Sequence, residues 1–173
     1  MKLRHPVVRG HPLHAMATDL PIGIVPLALA ASVVARARGS REAALAAGAT
    51  AALAATSSAS AALLGWWDWL TIPSWHEARR PATIHGLVNT SATALVIAGA
   101  LLPARRAQLL GLAIACMAAG AWLGGDLVYR LGWRVRPAEL YEQIAEGKTR
   151  EEAERAIAEH ERNDTFLAPR GSP

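Results

Sequence analysis

The chain has 173 residues, is 52% hydrophobic and carries a formal net charge of +4. Its arginines stand in short clusters between apolar runs, which excludes a basic nucleic-acid face and matches where membrane proteins keep cations. Cys116 is the single cysteine, so no intrachain disulfide can form.

Four apolar stretches follow in order: Leu13 to Ala35, Glu42 to Trp69, Ala82 to Leu102 and Ala107 to Leu131. Each reaches the roughly 20 residues a helix needs to cross about 30 Å of hydrocarbon. The links "RARGSR", "TIPSWHEARRP" and "LLPARR" are short, charged and marked by glycine or proline, as helix breaks are. A soluble alanine-rich bundle would give each helix a polar face. Instead, 25 residues without charge follow Glu42, and their only polar members are Ser and Thr. Such hydroxyls can bond back to their own helix in lipid. "MKLRHPVVRG" and the following apolar run also suit a cleaved signal peptide. The long basic lead and the aspartate at the mouth of the run favour a retained first helix.

The fold class is therefore all-α, a four-helix transmembrane bundle over residues 1–136, with a polar helical tail over 137–173. In the tail, Thr149 and Glu152 form a capping box and Gly147 separates two short helices. The chain is expected to be loose past Asn163.

Four crossings put both termini on one side, here called side A, together with the second link. His11, His14 and Asp19 stand near the side-A end of the first helix, with Pro12 at its first position after a cap at His11. Asp68 ends the second helix, His85 and Asn89 open the third, and Asp126, Tyr129 and Arg130 close the fourth. All six tryptophans belong to the same half. Ionisable groups at membrane depth are costly unless paired or wet, and they mark sites. His85 and Asn89 share a face, and Asp126 can pair with Arg130 at i, i+4. Trp122, Asp126, Tyr129, Arg130 and Trp133 fall along one stripe. His76 in the second link, His160 and His5 read as surface residues.

Together, "GHPLHAMATDLPIG", "GWWDWL", "IHGLVNT" and "GAWLGGDLVYRLG" resemble the domain-of-unknown-function 2231 family of bacterial membrane proteins, over Gly10 to Val135. The resemblance implies a compact four-helix membrane domain. Some relatives are fused to Rieske-type iron–sulfur domains, which implies electron transfer near the membrane. The first family motif usually reads His-Pro-Leu-His-Pro, and Ala15 stands here for its second proline. The last often reads Gly-Gly-His-Leu-Val-Tyr, and Asp126 takes the histidine place. No Rieske ligand pairs occur in this chain.

Three functions compete. In the first, haem b sits between His14 or His11 and His85 in a redox-linked subunit. The second is an ion or small-molecule module with a titrating network of Asp19, Asp126, His14, His85 and Arg130, or a zinc ion on His11, His14, His85 and Asp126. The third is a structural subunit whose polar cluster fixes register and whose tail docks a soluble or redox protein partner. Cys116 is far from every histidine, and no nucleophile-elbow serine exists, so catalysis by this chain alone is not expected. The expected location is the bacterial cytoplasmic membrane, with both termini in the cytoplasm by arginine count.

Overall fold

A computed structural model describes residues 6–8, 11–133 and 136–164, the last with backbone only at 136–138 and 160–164. His5, Arg134 and residues from 165 onward lie outside the described residues, as does the His160 side chain. Strands β1 (Val7–Val8) and β2 (His11–Pro12) form a small antiparallel ladder. Four long helices follow: α1 (Leu13–Arg38), α2 (Arg41–Thr71), α3 (Arg79–Leu101) and α4 (Arg106–Gly125). Two short helices, α5 (Arg136–Ala145) and α6 (Arg150–Asp164), end the described chain.

The start of α1 differs from the sequence expectation. His11 is extended and pairs with Val8, so Pro12 is the cap and Leu13 the first helical residue. The Leu13 N–H, which Pro12 cannot satisfy, donates to the Pro6 carbonyl at 2.8 Å. Between α1 and α2 only Gly39 and Ser40 intervene. Gly39 has φ 62°, a left-handed value that glycine adopts without a Cβ clash, and its N–H bonds to the Ala35 carbonyl. The Ser40 hydroxyl accepts from the Ala43 N–H and starts α2. So short a link forces an antiparallel hairpin. A 3-10 turn over Pro103–Arg105 does the same for α3 and α4.

In the bundle α1 packs on α2, α2 on α3, α3 on α4, and α4 on α1. Thus α1 and α3 occupy diagonal corners. The side-B core is built from small residues: Val25, Ala28, Ala51, Ala54, Val96, Leu110 and Ala113. Alanines let the backbones approach closely, which is how membrane helices gain packing energy. At that end Arg106 is buried and donates to the carbonyls of Gly99 and Ala100, covering the C-terminus of α3. A second apolar cluster on side A gathers Ile72, Ala78, Ala82 and Leu127.

Leucines and valines such as Leu27, Leu53, Leu63, Leu87, Leu101 and Leu112 face outward. All four long helices are apolar and long enough to cross a bilayer. Lipid, rather than protein, is what covers those side chains. This is a multi-pass membrane bundle.

The fourth crossing ends differently from a plain helix. Asp126–Arg130 is a π-helical turn, with the Leu131 N–H on the Asp126 carbonyl at 3.0 Å. The wider turn shifts the angular positions of everything after it. The expected single stripe is therefore broken: Trp122 and Tyr129 are largely exposed, whereas Trp133 is half-buried and turned onto His76.

Candidate functional site

Two imidazoles meet inside the side-A half. His14 comes from α1 and His85 from the diagonal helix α3, with ring centroids 6.4 Å apart and planes nearly perpendicular at 83°. Each ring is anchored on the neighbouring helix. Nδ1 of His14 lies 3.1 Å from the Ala61 carbonyl, and Nδ1 of His85 lies 2.9 Å from the Gly120 carbonyl. A carbonyl can only accept, so both Nδ1 atoms carry the proton. That fixes the tautomer and leaves Nε2 of each ring as the lone-pair nitrogen.

Glycines make room for the rings. A Cβ on Gly65 would sit 2.7 Å from Cε1 of His14, and one on Gly124 would sit 3.0 Å from Cε1 of His85. A Cβ on Gly120 would meet the Asn89 amide at 2.6 Å. Asn89, one turn after His85, donates through Nδ2 to the His85 carbonyl at 2.9 Å, and the same Nδ2 lies over the His85 ring, 3.3 Å from both Nδ1 and Nε2.

Around the two rings is a cavity of about 530 Å³. It lies between the two apolar clusters, with Val96 and Met117 toward its deep end and Trp69, Leu127 and Trp133 toward side A. Its walls are mostly apolar, as binding pockets are. Ser58 lines it from α2: the hydroxyl is buried and has no hydrogen-bond partner. The α2–α3 wall is tied by indole N–H groups, from Trp66 to Thr90 Oγ1 at 2.9 Å and from Trp69 to Thr83 Oγ1 at 2.8 Å. Arg79 stacks its guanidinium 3.6 Å above the Trp69 ring and donates to the carbonyls of Trp69 and Ile72.

The family model described as "Predicted membrane protein (DUF2231)" matches residues 10–137. The chain belongs to this family. Neither the comparison with curated proteins nor that with solved structures returned a match. In this DUF2231 domain the matched segment contains all four crossings and the whole cavity.

Of the residues singled out in the DUF2231 sequence, His14, His85, Asn89 and Asp68 line the cavity, together with Trp66, Trp69 and Trp133. The others stand apart. His11 is exposed on β2, and Asp19 is exposed on α1 outside the cavity. Asp126 pairs with Arg130 at 3.2 Å, but both side chains are well exposed, so the pair contributes under about 1 kcal/mol. Tyr129 is 91% exposed and sits with Trp75 and Trp122 as an interfacial aromatic belt. Among the described residues no three His, Cys, Asp or Glu side chains are grouped to share a metal ion. The Asp126 place, where relatives often have histidine, lies outside the imidazole pair.

Several DUF2231 residues escaped the sequence reading. His76 is half-buried, not a surface group: its Nδ1 accepts the Ala78 N–H, and its ring packs 4.5 Å from that of Trp133. Gly120 and Gly124, four apart on α4, accommodate Asn89 and His85. Gly65 sits inside "GWWDWL", where the tryptophans drew notice instead. Ser58 carries no signal among so many hydroxyls.

Proposed function

We propose that this membrane domain holds a b-type haem between His14 and His85 and serves redox-linked chemistry at the membrane. The observation that carries the reading is the pair of imidazoles, both with Nδ1 bound to a backbone carbonyl, with ring centroids 6.4 Å apart in an apolar cavity. Metal-ligating histidines characteristically donate their other N–H in this way. Two lone pairs without a third protein ligand suit a metal that brings its own equatorial nitrogens. An iron held by one nitrogen of each ring would need the centroids about 6 Å apart, given metal–nitrogen bonds of about 2.0–2.1 Å. The observed 6.4 Å agrees. The zinc alternative lacks its further ligands, since His11 and Asp126 lie elsewhere.

The test is an absorbance spectrum of protein purified in detergent from haem-supplemented cells. A Soret band that disappears in His14→Ala and His85→Ala supports haem. A colourless protein from supplemented cells overturns it. A structural reading has one observation in its favour, the close fit of each ring against a glycine, which fixes helix register. It predicts that the same variants lower the melting temperature without removing any ligand.

We further propose a bacterial cytoplasmic membrane location with both termini inside. By sequence, side A carries Arg4, Arg9, Arg79, Arg80, Arg130, Arg134 and Arg136 against Arg36, Arg38, Arg41, Arg105 and Arg106 on side B, where Arg106 is consumed in covering α3. Protease accessibility of the tail in inverted vesicles checks this. The acidic tail helices are the proposed docking point for a redox protein partner; no nucleic acid is involved.

A further inference from the structure

The two hairpins repeat one another at the site. In α1–α2, His14 bonds through Nδ1 to the carbonyl of Ala61, and Gly65, four residues on, faces its Cε1. In α3–α4, His85 bonds through Nδ1 to the carbonyl of Gly120, and Gly124, four residues on, faces its Cε1. Both hairpins leave side A, turn on side B and return. Parallel repeats of this kind are related by an axis along the membrane normal, with the binding site at the interface between them. The Nδ1 to carbonyl distances, 3.1 Å for His14 and 2.9 Å for His85, are both hydrogen bonds of ordinary length.

We infer that the cavity consists of two equivalent half-sites, and that its iron is coordinatively closed. This rests on the haem reading. With one similarly anchored imidazole from each hairpin holding the iron, no position would stay open for oxygen, carbon monoxide or peroxide. Such a centre accepts one electron in passing from ferric to ferrous, supplied in the test by dithionite and withdrawn by ferricyanide. It binds no diatomic ligand. The residue at the fourth position after each histidine is where the halves differ. Asn89 reaches its histidine ring, whereas Thr18 bonds back to the Ala15 carbonyl at 2.7 Å.

The experiment records ferric, dithionite-reduced and carbon-monoxide-treated spectra of the haem-loaded full chain and of Gly65→Ala and Gly124→Ala. The expected result is a six-coordinate low-spin spectrum that carbon monoxide does not change. The two glycine variants should weaken haem retention similarly, by about 10–100-fold, as perturbed second-shell support of a metal ligand does. Gel filtration and helical circular dichroism of each variant verify that it folds. If one variant misfolds, His14→Met and His85→Met replace the pair, and each should shift the reduced spectrum alike. A five-coordinate spectrum, a carbon monoxide adduct, or loss of haem in only one hairpin's variant overturns the inference while leaving haem binding standing. No haem in any preparation overturns both.

Discussion

The two halves of the bundle solve different problems with similar residues. On side B, four alanines, two valines and one leucine close the space between helices, and a buried arginine covers the helix end. On side A the same helices carry glycines, yet the space is not closed. The glycines admit rings, and a cavity of about 530 Å³ remains beside them. Small residues therefore do not have one meaning in a membrane helix. Where small meets small, backbones touch; where small meets imidazole, a site opens.

That contrast can be broken by matched substitutions. Ala113→Leu in the closed half forces extra carbons into a fully buried position and should cost up to about 3 kcal/mol. Ala62→Leu beside the cavity should cost far less, and equal melting temperatures in detergent would erase the distinction between halves. Arg106→Met removes charged hydrogen bonds to two carbonyls and should cost about 2 kcal/mol. Arg130→Met removes only an exposed pair and should cost under about 1 kcal/mol. A sharper comparison pairs neighbours on α2. Ser57 bonds to the Ala54 carbonyl at 3.0 Å, whereas the buried Ser58 hydroxyl has no partner. Ser57→Ala should lower stability by about 1 kcal/mol, and Ser58→Ala should leave it unchanged or raise it. Thermal unfolding of the two variants side by side reads the sign.

The smallest effect belongs to the tail. The backbone N–H and hydroxyl of Thr149 donate to Glu152, at 2.9 and 2.8 Å, and hold its carboxyl below its ordinary value of 4.5. A depressed folded-state value means that the cap's contribution is complete above about pH 4.5 and fades as pH falls through the lower one. Helicity of α6 followed by circular dichroism should decline slightly over that acidic window, and Glu152→Gln should flatten the curve.

The crossings were legible because lipid demands long uncharged runs, and nothing else accounts for 25 such residues after Glu42. The capping box and the Gly147 break were legible because they are local. Residues four apart on one helix, such as His85 with Asn89 and Asp126 with Arg130, met as helical geometry requires. Which way each face turned was not readable. Period alone could not tell that Asp19 and Asp126 stand outside the cavity, since none of the four crossings has a pronounced polar side to orient it. The π turn at Asp126 inserts an angular shift that no composition signals, and it separated Trp133 from its expected stripe. His76 looked like a loop residue because its partners, the Ala78 amide and the Trp133 ring, come from a turn and from a distant helix end.

The link of Gly39 and Ser40 has a consequence for biogenesis. It makes the first pair of crossings a self-contained unit, able to enter the bilayer together with His14 already tethered to its own partner helix. The second pair is built likewise around His85. The chamber's walls come from all four helices, so it exists only after these units dock. Whatever occupies it must arrive at that moment or later, and assembly of the two units is the step on which loading depends.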